Sequence, residues 1–487
     1  MRILRVSLVI LLIVGAGSIK SYGAPAAKSA ALWPDAVAVI VDGRLLVLNT
    51  QSDGVLWAYD FEGARFHGLV KAGKRLFVGA GANVIVLDRN RIEAKPRTWR
   101  LTPPTENSVG LWPLYERAVP LLTDGRYVWG RLDNPSHDMR RPLGAIFAIN
   151  VGKAGQPPNL DWSGGNVLGD ALIVENGYIL AGLDLGFGIY DATTGVLLSG
   201  VGTVDLHGKL VFGAIGRIVV ASTTRLRNVY GYSLSDFARK PKRLGPVWTW
   251  VADNETVDIV ASPDGRTAFI SQATTWPWST EHYGRSSPRS SVTALNAATG
   301  KRKWMRILVP GTRAGMHLPL EDLTLHHGNL LAVTRRPGLG EADELNYYLK
   351  QHYAGLDIDD FLYYLYSVNA KTGSVNWKYE TQGLEAIAAE VGNVLYLATD
   401  QELLTQIRKW SEDLSRAGRP RKSLPDWRTK VQAIDLSSGR LLWSADEAQF
   451  LVATENLAYM RIGDGSVVAV DGLNGKVRYR YKQEGVP

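Results

Sequence analysis

An all-β fold of many short strands is what this 487-residue sequence predicts, on three observations. A turn motif recurs along the chain with fixed internal spacing. Apolar runs of strand length come in pairs separated by Gly-centred turns. The composition, with 50 glycines, 15 tryptophans and 45% apolar residues, suits tight turns and a packed core and argues against disorder.

The clearest unit of the motif is Gln432 to Trp443, QAIDLSSGRLLW. Ala433 and Ile434 end a strand, the Asp435 carboxylate can accept amide hydrogens of the turn, Gly439 supplies the positive φ, and Trp443 fills space in the next strand. The same spacing returns at Asn296, Gly300 and Trp304 and at Asn369, Gly373 and Trp377. Asp471, Gly475 and Tyr479 change only the aromatic. Asp191 with Gly195 keeps the turn without the Trp, and Asn49, Gly54 and Trp57 keep the residue types with slipped spacing. Asp88 to Trp99, Asn150 to Trp162 and Ser233 to Trp248 read as copies with lengthened turns.

The pattern A-x-D-x-x-T-G-x-x-x-W resembles the tryptophan-docking repeat of the pyrroloquinoline quinone (PQQ)-like β-propellers, over most of residues 33–487. The resemblance implies a single closed β-propeller of four-stranded antiparallel blades, with each Trp packed on the turn of the next blade. The superfamily holds both quinoprotein dehydrogenases and non-enzymatic envelope scaffolds, so the motif speaks to architecture and not to activity. Motif spacings of 36, 39 and 41 residues fit blades of roughly 40 residues. Nine motif positions, with a partial unit at each terminus, predict eight blades closed by one shared between the two ends, with seven as the alternative.

Residues 1–23 read as an export signal: Arg2 and Arg5, an apolar run over 6–16, then small residues. No later run is long and apolar enough to span a membrane, so the expected location is periplasmic or secreted. With no cysteine the chain has no lipid-attachment residue, disulfide, haem c attachment or thiolate metal site. Removing Arg2, Arg5 and Lys20 with the signal takes the formal charge from +8 to 8 − 3 = +5, without a basic block of the kind nucleic acid binding uses.

Insertions interrupt the rhythm near 273–291, 335–366 and 399–428. The first gathers Trp276, Trp278, His282 and Tyr283, which can stack a ring-shaped ligand such as a glycan or simply pin the loop to the strands beneath it. The last carries a helical pattern over 401–417 that either docks a partner or lies on its own domain. Asp357, Asp359 and Asp360 lack the ligand number and glycine of a calcium loop. The adjacent His326 and His327 point to opposite faces if both lie in a strand, and His67, His137, His207 and His317 lack zinc-ligand spacing. No G-x-S-x-G elbow occurs, and the GAGANV run from Gly79 leads into a strand, unlike a dinucleotide fingerprint.

The resemblance leaves two principal roles open. A PQQ- and calcium-dependent alcohol or sugar dehydrogenase needs a quinone on an aromatic floor, oxygen ligands for Ca²⁺ and an Asp base. No Glu, Asn and Asp set in this sequence matches that pattern, and the chain is shorter than such enzymes. The expectation is therefore a non-catalytic scaffold that binds envelope or secreted proteins, without cofactor or metal, and a glycan-binding propeller is the third possibility.

Overall fold

The computed structural model describes residues 30–481 apart from interrupting segments, the longest being 101–116, 134–143, 274–289, 310–319, 335–363 and 406–428. The signal segment, the aromatic insertion with Trp276, Trp278, His282 and Tyr283, nearly all of the other two insertions, and Asp357, Asp359 and Asp360 lie outside the described residues.

Among the described residues, 36 strands form nine four-stranded antiparallel sheets, each from four consecutive strands. Sheets 1 to 9 span 30–60, 66–100, 117–164, 172–202, 210–251, 255–309, 320–380, 385–446 and 448–481. This corrects the expectation of eight or seven. The partial units at the ends do not merge, because sheet 1 takes all four strands from the N-terminal side and sheet 9 all four from the C-terminal side.

The strands form for two different reasons. Inner strands such as Ala36–Val41 (AVAVIV) and Val394–Thr399 (VLYLAT) are buried almost throughout. Each is covered on both faces by neighbouring sheets, so apolar residues run on without alternation. Fourth strands such as Val375–Glu380 (VNWKYE) lie at a sheet edge and bury chiefly Trp377, with exposed residues on either side. A short helix, Leu234–Arg239, takes the place of a tight turn in sheet 5.

Successive sheets stack face to face. Phe187 and Ile189 of sheet 4 pack with Val219 and Tyr232 of sheet 5, Phe269 and Val292 of sheet 6 with Leu330 and Tyr366 of sheet 7, and Tyr396 and Ala433 of sheet 8 with Phe450 and Met460 of sheet 9. Each fully buried side chain of this size contributes about 1.5–3 kcal/mol relative to exposure. The first and last sheets also meet, through Val39, Leu46 and Leu48 against Tyr459, Val467 and Tyr481. First strands lie beside one another, as with Glu255–Ala261 against Leu320–His326 and Glu385–Val391 against Ala448–Ala453.

Candidate functional site: the seams between sheets

The turns between third and fourth strands carry the repeated motif. Asn296 Oδ1 accepts the amides of Ala298 (3.0 Å) and Thr299 (3.1 Å), and Asn369 Oδ1 accepts those of Lys371 and Thr372 (both 3.0 Å). Asp435 accepts the Ser438 amide (2.8 Å) and the hydroxyls of Ser437 and Ser438, and Asp471 accepts the amides of Leu473 and Asn474. Four residues on, the glycine amide donates to the carbonyl of the same Asn or Asp, at 2.8 Å for Gly300, Gly373 and Gly439 and 2.9 Å for Gly475. Those glycines hold φ between 66° and 73°, the left-handed region that penalises a Cβ.

A second constraint comes from the neighbouring sheet. The Trp377 indole lies so close to Gly439 that an added Cβ would stand 2.6 Å from its ring. Trp304 bears on Gly373 and Trp443 on Gly475 in the same way. Each indole N–H then donates into the turn it covers: Trp304 to Ala370 O (3.1 Å), Trp377 to Leu436 O (2.8 Å) and Trp443 to Gly472 O (2.9 Å). In every case the acceptor follows the Asn or Asp. The motif is therefore one device in two halves, with the turn on one sheet and the ring that caps it on the sheet before.

Electrostatics favour the acidic copies in ionised form. The hydroxyl of Ser437, above all, holds the Asp435 carboxyl below the usual carboxylate range, and the Arg478 guanidinium does the same for Asp471. Asp191 is lowered by the Thr194 amide first.

The irregular copies resolve individually. Trp248 is a full member: its indole donates to Ala297 O (2.9 Å) and covers Gly300, and it leans so closely on Gly231 that a Cβ there would meet the ring at 2.1 Å. Trp57 takes the register place of the other tryptophans, opposite Val47, and Asn49 N donates to the carbonyl five residues on as in the regular copies, so only the glycine, Gly54, sits one position late. Trp162 pairs with Ala148, the equivalent small position, whereas Trp99 pairs with Val84 and leaves Arg97 in the docking register opposite Val86.

Three aromatic fasteners among the described residues escaped the motif. Trp129 donates to Ala192 O (3.1 Å), the residue after Asp191, yet it belongs to a second strand. It sits across from Ala148 where Phe269, Leu331 and Tyr396 sit across from Ala294, Ser367 and Ala433. Trp33 donates to Gly73 O (3.1 Å) in a turn between first and second strands. Between sheets 9 and 1 the Tyr481 hydroxyl donates to Asn49 O (2.6 Å), two residues beyond Tyr479, the aromatic that spacing had pointed to. The alternating Tyr479-Arg480-Tyr481 of the last strand was the available signal, because either tyrosine could face the seam.

At the mouth of the aromatic insertion, sheet 6 buries an unusual polar group. Gln272 Nε2 donates to Thr293 Oγ1 (2.6 Å), and Thr256, Ser271 and Ser291 are buried beside them. Of the buried inner-strand carboxylates, Asp258 on sheet 6 accepts the amides of Ile259 (2.8 Å) and Leu323 (3.4 Å), while Glu385 lies on sheet 8. Among the described residues no group of three or more His, Asp or Glu stands together as a metal site would require.

With this geometry in view, comparison with known proteins is informative. Residues 363–487 match the family model described as "Outer membrane protein assembly factor BamB", a PQQ-repeat family, and this is the stretch with the most regular docking turns. That match supports a place for this segment in the PQQ-like β-propeller superfamily. Among solved structures it is similar to BamB from Moraxella catarrhalis, at 13% identity over 76% of this chain and 88% of that one, with a TM-score of 0.40. It is similar to Saccharomyces cerevisiae Sqt1, at 10% identity over 88% and 98% with a TM-score of 0.46. A quinohemoprotein alcohol dehydrogenase, ADHIIG from Pseudomonas putida HK5, is similar at 13% identity over 74% and 65% with a TM-score of 0.42. At these levels none of the three bears on what the protein does. No curated protein matches the chain by sequence. Among the described residues no helix is long and apolar enough to cross a membrane.

Proposed function

We propose that the protein is a non-catalytic β-propeller, exported to the periplasm or beyond, that serves as a protein-binding scaffold in the cell envelope without quinone or metal. Its nine sheets form a closed ring in this reading, supported by the apolar contact and the Tyr481 bond between sheets 9 and 1. The observation that carries the role is the match of residues 363–487 to a family described as an outer membrane protein assembly factor. The same segment offers a surface for a partner. Val375, Leu441 and Val477 each open a fourth strand two residues before the motif aromatic (Trp377, Trp443 and Tyr479), on three consecutive sheets, and are 41%, 43% and 56% exposed. Apolar side chains repeated at one register position suit a protein partner better than solvent.

The test is site-specific photo-crosslinking in cells, with the crosslinker at 375, 441 or 477 and a control at Asp464, a turn at the opposite end of sheet 9. A discrete envelope-protein adduct from the three positions and none from the control is the expected result. Equal labelling at all four sites overturns the assigned surface. Quinone absorbance, or dye reduction with alcohols or sugars after adding PQQ and Ca²⁺ to the purified full chain, overturns the non-catalytic reading. Retention on carbohydrate that disappears when Trp276 and Trp278 are changed to Ala supports the glycan-binding alternative.

A further inference from the structure

The seam between sheets 7 and 8 carries a histidine–carboxylate contact in addition to its indole. Sheet 7 presents Thr324 and His326 from its first strand, Leu320–His326, and sheet 8 presents Glu390 from Glu385–Val391. Glu390 Oε1 accepts the Thr324 hydroxyl at 2.9 Å, and Oε2 lies 2.9 Å from His326 Nδ1. The other ring nitrogen, Nε2, lies 3.1 Å from the backbone carbonyl of Gly392, in the turn that follows Glu390. Both imidazole nitrogens thus face acceptors on the neighbouring sheet. A neutral imidazole has one N–H and one lone pair, so only the imidazolium can donate to both. Loss of the proton sets a nitrogen lone pair against an oxygen and leaves Glu390, itself largely enclosed, without its cation.

We infer that Thr324, His326, Glu390 and the Gly392 carbonyl form a proton-dependent fastener between sheets 7 and 8, closed when His326 is charged and loosened when it is neutral. The groups facing the imidazole are Glu390, from sheet 8, and the His327 ring, edge-on at 4.2 Å on the turn of its own sheet. His327 does not compete for the carboxylate: it has left the strand, with φ at 43°. The Glu390 hydrogen bond raises the His326 pKa above the ordinary imidazole value against the opposing effect of burial. The sign follows from a folded value above the unfolded one. The stabilisation is complete below the unfolded pKa of about 6.5 and is lost as pH rises through the folded value. The seam between sheets 7 and 8 is then tightest in mildly acidic surroundings.

The test uses the full chain with ¹³C-labelled histidine, the His326 signal being assigned by its loss in His326→Gln. The expected midpoint lies above about 6.5 in the wild type and falls in Glu390→Gln. Thermal unfolding from pH 6 to 9 reads the linkage: the Tm gap between wild type and Glu390→Gln is present at pH 6 and closes or reverses by pH 9. A His326 midpoint at or below the ordinary value, or a gap that stays constant across that range, overturns the proposal. The wild-type titration decides the matter even where a variant fails to fold.

Discussion

The seam between sheets 3 and 4 and the seam between sheets 7 and 8 reach the same end from different strands. At the later seam Trp377, on a fourth strand, donates to Leu436 O, the residue after Asp435. At the earlier one Trp129, on a second strand, donates to Ala192 O, the residue after Asp191. The two rings occupy one cross-strand row, on opposite sides of a small third-strand residue, Ser367 in one case and Ala148 in its counterpart. What is held constant is an indole N–H delivered to one carbonyl of the adjoining turn. The row fixes this and the strand does not, because directly paired residues on one face stand about 5 Å apart and an indole spans that distance.

The largest effect expected along this comparison comes from closing the space under a ring. Gly439→Val places a branched side chain against the Trp377 indole at a φ of 70°, and about 3–4 kcal/mol of lost stability is expected in urea unfolding. Gly392→Ala, on the same sheet at a φ of 59° with nothing within 4 Å of the new Cβ, is expected to cost only about 1–2 kcal/mol. Equal losses would break the claim that ring contact, beyond backbone strain, fixes glycine at the docking turns.

Trp377→Phe and Trp129→Phe form the next pair. Each keeps an aromatic ring and removes the N–H, leaving a carbonyl short of a donor, for an expected loss of about 1–3 kcal/mol. A loss at Trp377 with none at Trp129 would show that the relocated ring is not an equivalent fastener. Smaller still is Tyr481→Phe, which takes one hydroxyl from the contact with Asn49 and is expected to cost about 1 kcal/mol. Hydrogen exchange should rise in both sheet 1 and sheet 9, and a rise confined to sheet 9 would count against their being held together there.

The mildest effect separates acid from amide turns. The lowered pKa of Asp435 means that its contribution is present above the unfolded value of about 3.9 and is lost as pH falls through the folded one. Asn296 and Asn369 make the same turn without a titrating group. Asp435→Asn should therefore flatten the acid limb of the thermal-stability profile while leaving the neutral plateau in place.

Much of this architecture could be read from the sequence because three requirements coincide within a dozen residues: an Asn or Asp that accepts turn amides, a glycine at positive φ, and an indole of fixed reach. Trp304, Trp377 and Trp443 were visible on that account, and Trp248 was visible despite the helix that replaces its turn. Trp129 and Trp33 were not, since they stand outside the fourth strand that follows a docking turn and nothing near them in the chain marks the contact. The sheet count was misjudged by assuming that the two ends share four strands, when residues 30–60 and 448–481 each complete a sheet. The Glu390 partner of His326 was equally hidden, because 64 residues separate them in sequence and pairing arises only from the stacking of first strands.

The independence of the first and last sheets has a mechanical meaning. No strand of one enters the other, so the junction between them is made by side chains: a band of aliphatic residues, packed tyrosines and one phenolic hydroxyl. A pull on the two ends would part these groups before it unravelled any backbone ladder. The first thing such a load releases is a clasp that can shut again with every sheet still intact.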